Sequence, residues 1–282
     1  MNAYNMLELL RDQVGEGTAS HWSDVNLVRR LNAAQRKVAV LVGSYPGSWL
    51  VKSVDLTPSS SVITLPQDCS KPLYLEETSS GKPLTWLENV KGRRVSRLPN
   101  ITGEWYGGGL EAYPLRNTLV VNQDSYATEV TLWYEQRVPD LVVGTGTTGS
   151  AATALYFPDD VNTKRVDDYY NGVGFETEEG TGAGTVGDSI TDFVGSSRKA
   201  TVTGTYGTDS VFGTISLLPE EAHYLIVLEA TVLALAKPSS NIDEKVFGYY
   251  LGERKEAKRD LERWLETRIK GYGRVAITEE GI

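Results

Sequence analysis

Apolar residues recur at three- and four-residue spacing only near the two ends of the chain, which predicts helices at the ends and strands between them. Met6, Leu7, Leu10 and Val14 mark a first helix that Gly15 and Gly17 stop. Ser23 with Asp24 caps a second, whose stripe is Leu27, Val28, Leu31, Ala34, Val38 and Leu41, ended by Gly43 and Pro46. Its other faces carry Arg29, Arg30, Arg36 and Lys37. Far along the chain, Pro219 followed by Glu220 and Glu221 suits a helix start, and the run from Ala222 to Ala236 is apolar on nearly every side. A helix of that kind is expected inside a bundle or between subunits, with Lys237 and Pro238 closing it. Asn241 or Asp243 then caps a fourth helix with the stripe Val246, Tyr250, Ala257, Leu261, Trp264, Leu265 and Ile269. Its exposed side pairs Asp260 with Arg263, Lys258 with Glu262 and Glu266 with Lys270, and Gly271 and Gly273 end it.

Alternation and turn residues dominate the middle. Strands are predicted at 49–56, 62–65, 73–77, 83–87, 118–121 and 129–134, separated by Pro, Gly, Ser and Asn clusters. In the last of these Val130, Leu132 and Tyr134 alternate with Thr131, Trp133 and Glu135. Residues 144–152 are all Gly, Thr, Ser or Ala and read as a flexible joint. A second β stretch follows, in which 200–205 and 211–217 are expected to form a hairpin. The fold class is therefore α+β. A helical bundle from 1–48 and 219–282 carries a β domain at 49–142, sandwich-like or barrel-like, and a small inserted β module at 143–218.

Charge sharpens this division. The chain has 282 residues and a formal net charge of −9, and residues 153–216 hold ten acids against four bases. An acidic chain is poorly suited to gripping nucleic acid through its phosphates, although it is compatible with letting DNA pass unheld. The N-terminal stretch has no basic leader before a long apolar run, and Leu225 to Ala236 falls short of a bilayer span, so neither secretion nor membrane insertion is expected. The one cysteine, Cys69, has no internal partner.

Catalytic chemistry is sparse. His21 and His223 each stand near a helix start without a ligand partner at metal spacing. Cys69 lies in a turn with no histidine near it. Gly144, Gly146 and Gly149, and again Gly182, Gly184 and Gly187, match a phosphate-loop pattern, but neither set stands between a strand and a helix. Asp159–Asp160, Asp167–Asp168 and the trio Glu176, Glu178 and Glu179 are read first as solvated loop acids, then as calcium ligands or a glycosidase pair. The reading is of a protein without catalytic, cofactor or metal residues.

The layout of two short helices, a β region ending in Leu132-Trp133-Tyr134-Glu135-Gln136-Arg137-Val138-Pro139-Asp140-Leu141, an apolar helix and a long charged helix resembles the head-to-tail adaptor, or connector, proteins of tailed bacteriophages. The resemblance covers about residues 1–142 and 219–282. The module between them is similar to a small β domain of phage virion proteins, through Asp167-Asp168-Tyr169-Tyr170-Asn171-Gly172, the loop Gly180 to Gly184 and Arg198-Lys199-Ala200-Thr201-Val202. The resemblance implies a structural virion protein, not an enzyme, assembled in the host cytoplasm. It would form a homo-oligomeric ring, usually a dodecamer, that joins the portal protein to a tail tube or nozzle protein and lets genomic DNA through without reading its sequence. Tyr272, Arg274, Val275, Ala276 and Ile277 are the expected portal-docking residues, and Leu225, Val232, Leu235 and Trp264 the expected subunit contacts. The alternatives are a tail-completion or tail-tube protein of the same virion, or a virion glycan hydrolase.

Overall fold

A computed structural model describes residues 1–15, 22–45, 49–86, 111–121, 127–146, 153–184, 186–236 and 244–271. These residues form a mixed α+β fold of four helices and several small sheets, and none of the sheets closes into a barrel. The chain divides into two compact units: Met1–Trp49 with Val138–Ile282, and Leu50–Arg137.

The helices belong to the first unit. Helix α1 (Ala3–Val14) begins where the Asn2 side chain accepts the amide of Asn5 at 2.9 Å. It stops at Gly15, whose φ of 75° is the left-handed turn that glycine adopts without strain. Helix α2 (Asp24–Gly43) is capped by Ser23, as its sequence predicts. Helix α3 (Glu220–Leu235) packs against α1, α2 and the 28-residue α4 (Glu244–Gly271). The all-round apolarity of α3 is satisfied inside its own chain: Ile226, Val227, Leu228 and Ala230 have no exposed surface. Its only internal acid, Glu229, is approached by Lys37 of α2 at 3.6 Å and Arg254 of α4 at 3.7 Å. On α4 the expected surface pairs Asp260–Arg263 (3.2 Å) and Lys258–Glu262 (3.8 Å) are present.

The same unit holds two sheets. Strands β8 (Val143–Thr145), β10 (Gly174–Glu179), β11 (Val186–Ser189) and β14 (Val211–Thr214) form one in the order β11-β10-β14-β8. Strands β9 (Ala154–Tyr156), β12 (Asp192–Val194) and β13 (Lys199–Thr201) form the other in the order β12-β13-β9. Two expectations change here. Residues 143–145 are a strand paired with β14, so the first positions of the 144–152 stretch read as a joint are sheet, and residues 147–152 lie outside the described residues. The hairpin expected from 200–205 and 211–217 does not exist, because β13 and β14 lie in different sheets. Tyr206 turns inward between them onto Phe175, at 5.3 Å between ring centroids.

This sheet pair is tied to the helices. Helix α1 lies on β14 so closely that a Cβ on Gly213 would stand 2.4 Å from the Tyr4 amide nitrogen. Asn2 bridges to Ile215 through its backbone and donates through its side chain to Glu176 at 2.7 Å and to Glu178, which also accepts from Asn5 at 2.8 Å.

The unit Leu50–Arg137 is β throughout its described part. Strands β1 (Val51–Leu56), β7 (Val130–Gln136) and β3 (Cys69–Glu77) form one antiparallel sheet with β7 central. Strands β2 (Val62–Thr64), β6 (Thr118–Val121), β5 (Glu111–Leu115) and β4 (Thr85–Trp86) form the second, in which only β4 and β5 run parallel. The core joins Ile63, Leu75, Leu84, Leu119, Val130 and Leu132. Strand β5 escapes a pattern reading because Pro114 stands in it; proline is tolerated in strands only where no ladder hydrogen bond is needed.

Candidate functional site

Cys69 and His223 are both enclosed by the fold. Cys69 is 8% exposed, and burial, with Asp68 beside it, pushes its thiol up to about 11, so it stays protonated near neutrality. Asp68 accepts the Tyr134 hydroxyl at 2.9 Å and pairs with Lys52 at 3.0 Å. His223 is 3% exposed, with Nε2 3.1 Å from the Leu218 carbonyl. Burial, and then the nearby amino group of Met1, lower its pKa below the ordinary histidine value. His21 lies outside the described residues.

Several acids of 153–216 serve turns, ion pairs and contacts to α1. Asp159 holds Arg165 at 2.5 Å and Arg198 at 2.9 Å, and the hydrogen bond from Arg165 lowers its pKa. Asp160 accepts the amides of Asn162 and Thr163, and Asp167 accepts the amide of Gly195 at 2.8 Å. Glu176 and Glu178 hold Asn2 and Asn5. Among the described residues no group of three or more His, Cys, Asp or Glu side chains is placed to hold a metal ion. Gly182 and Gly184 lie in a turn, Gly187 in β11 and Gly144 in β8, none of them at a helix N-terminus, and Gly149 lies outside the described residues.

The most densely built polar site is one that residue-by-residue chemistry did not single out. It forms where the chain re-enters the first unit, at the Pro-Asp-Leu segment after Val138. Asn32 makes two hydrogen bonds to Leu141, donating to its carbonyl at 3.0 Å and accepting its amide at 2.6 Å, as a neighbouring strand would. Gln35 donates to the Pro139 carbonyl at 2.8 Å. The Asp140 carboxylate, only 4% exposed, receives Arg36 at 2.6 Å and Lys164 at 3.0 Å. The Val142 amide donates to Thr214 Oγ1 at 2.8 Å. Three successive polar positions of α2, a loop lysine and β14 thus fasten one short segment. The sequence signal was the polar trio Asn32, Gln35 and Arg36 beside the apolar stripe of α2, with Asn32 and Gln35 buried. The site holds chain: each of these side chains is spent on the backbone or the carboxylate of the 139–142 segment.

Of the expected subunit contacts, Leu225 and Val232 are 2% and 7% exposed, covered by their own chain, while Leu235 and Trp264 are half-buried. Trp264 stacks near Trp49 at 6.0 Å. The expected portal-docking residues Tyr272, Arg274, Val275, Ala276 and Ile277 lie outside the described residues. Among the described residues no helix is long and apolar enough to cross a membrane.

No protein-family model matches the chain, and no curated protein matches it either. The reading of function therefore rests on the residues and their arrangement.

Proposed function

We propose that the chain is a structural subunit of a head-to-tail adaptor ring in the neck of a tailed bacteriophage virion, joining portal to tail around the DNA path. The observation that carries this reading is the packing of helices from the two remote ends of the chain, with α3 against α1, α2 and α4, while Leu50–Arg137 forms a β unit of its own. In the proposal the four helices are the bundle that builds the ring. The role is mechanical rather than catalytic. That agrees with a protonated buried thiol, a neutral buried histidine and carboxylates already engaged in turns and ion pairs. A net charge of −9 suits a channel wall that DNA slides past, because repulsion of the phosphates acts over a Debye length of about 8 Å at physiological salt.

Portal docking is assigned to the segment after Gly271. The test mixes purified portal rings with the full chain or with a chain ending at Gly271, and images the products by electron microscopy. The full chain is expected to appear as a ring on the portal and the shortened chain to remain free. A full chain that never joins the portal contradicts the adaptor reading, and a shortened chain that attaches normally contradicts the docking assignment.

A further inference from the structure

Two exposed surfaces of the helical unit have complementary chemistry. The first is on α2, where a groove of about 430 Å³ is lined by Trp22, Asn26, Arg29, Arg30, Ala33 and Arg36. Arg30 is braced over the Trp22 ring at 5.8 Å, and Arg36 is fixed by Asp140. Arg29 is exposed and pairs with no carboxylate among the described residues. Val40, one turn beyond Arg36 on the same helix, is 75% exposed. A concentrated row of guanidinium groups in a chain of net charge −9 is an unbalanced feature.

The second surface lies on α3 and α4. Tyr224, Val246 and Tyr249 are 42%, 42% and 61% exposed, and Tyr249 packs edge-on to Tyr250 at 5.3 Å. Tyr224 stands one turn from Glu221 on α3, and α4, which packs against α3, carries Tyr249, Tyr250 and Glu253 within about one turn of one another. Glu221 and Glu253 pair with no basic residue among the described residues. Tyrosine and arginine are the side chains that most often dominate binding energy at protein interfaces, and arginine both stacks on a phenol face and forks onto a carboxylate.

We propose that the arginine groove of α2 in one copy of this chain receives the tyrosine and glutamate patch of α3 and α4 in the next copy. The inference rests on the ring reading above and names the surfaces that would close the ring. Charge complementarity selects a second copy as the occupant. Copies of an acidic chain repel one another overall, so association needs a local pairing of opposite signs, and this chain carries both halves. Because the two surfaces are different, the contact is head-to-tail, the kind that propagates from copy to copy until a ring closes. Val40 and Val246 add apolar area beside the charged pairs. The placement differs from that expected of Leu225 and Val232, which face inward.

The test compares the assembly of four full chains by sedimentation velocity over a concentration series, alone and with portal rings. They are the wild type, Arg29→Glu with Arg30→Glu, Glu221→Arg with Glu253→Arg, and the chain carrying all four changes. Circular dichroism melts confirm that each is folded. Each charge-reversed pair is expected to raise the concentration needed for assembly by about tenfold or more, and the fourfold variant to recover most of that loss, since opposite charges again face each other. Wild-type assembly with either reversed pair assembling equally well would overturn this interface while leaving the ring reading standing, and so would a fourfold variant no better than the pairs. An acidic partner protein as the true occupant would give the first of those results. A wild type that remains a single chain in both settings would overturn the ring reading and this inference together.

Discussion

The two β regions reach a buried core by different routes. In the described part of Leu50–Arg137 the core is mainly aliphatic, built from Ile63, Leu75, Leu84, Leu119, Val121, Val130 and Leu132, and Tyr134, packed among them, points its hydroxyl at Asp68. In the strands after Val138 the core is aromatic. Phe157 lies 5.2 Å from Tyr170, 5.5 Å from Phe193 and 5.2 Å from Phe212, and Tyr170 lies 4.8 Å from Phe193. The strands differ accordingly. Those of the first kind reach nine residues in β3, whereas β9, β12 and β13 have three each. Each of these three strands has one inward position, Leu155, Phe193 and Ala200, and the rings of Phe157, Tyr170 and Phe212 packed around them supply most of the buried area. The difference teaches that the acidic strands depend on a few residues and on the helices they are fastened to, while the aliphatic sheets depend on many small contributions.

The sharpest way to break this contrast is Phe157→Ala. It removes the ring on which three others converge and is expected to cost about 3–5 kcal/mol, the range for large aromatic truncations in a core. Hydrogen exchange should then quicken in β9, β12 and β13 while the Leu75 and Leu132 amides keep their protection. Equal quickening in both regions would mean that the two cores are not separately built. Cys69 gives a second readout of the same variant, since its buried thiol should stay unreactive toward a disulfide reagent until the aliphatic core itself opens.

Next in size is Asn32→Ala, which strips both partners from the Leu141 backbone in a buried setting. It is expected to cost about 2–3 kcal/mol, the penalty of leaving such groups unsatisfied. Asn32→Asp should be no better, because a carboxylate accepts the Leu141 amide but cannot donate to its carbonyl. Urea unfolding measures both, and a loss below about 0.5 kcal/mol would show that the clamp is incidental.

A smaller effect depends on pH. The folded state holds His223 below its ordinary pKa, so the unfolded chain binds the extra proton as pH falls below about 6.5. Stability should be complete above that range and decline on the acid side, and His223→Gln should flatten that decline. Urea midpoints at pH 7.5 and pH 5 decide it; an unchanged slope in the variant would remove His223 as the cause. Smallest of all, Asp260→Ala deletes an exposed i,i+3 pair and should change stability by less than about 0.5 kcal/mol.

The helices were legible because caps and stripes act locally: Ser23, Gly15 and the spacing of Leu27, Leu31 and Val38 need no distant partner to be read. The alternation of Val130, Leu132 and Tyr134 was legible for the same reason. The acidic strands were not, because their pairing is set by tertiary contacts. Gly144 and Thr145 look like part of a joint and join a strand only because β14 offers it an edge, and Thr177, Ser210 and Thr214 are buried polar residues that break any two-residue pattern. The clamp on Asp140 was half visible. The Pro139-Asp140-Leu141 motif stood out, but its partners Asn32 and Gln35 lie more than a hundred residues earlier. The satisfied burial of α3 shows the limit of composition as a guide to assembly, since all-round apolarity reads the same whether the covering helices belong to one chain or to two.

The central claim, that helices from both ends of the chain build the subunit of a ring, is tested most directly by the mass of the full chain in solution, measured alone and after mixing with portal rings. A closed assembly of many copies is expected in at least one of these settings. A mass of a single chain in both, at concentrations where the portal is itself assembled, would contradict it.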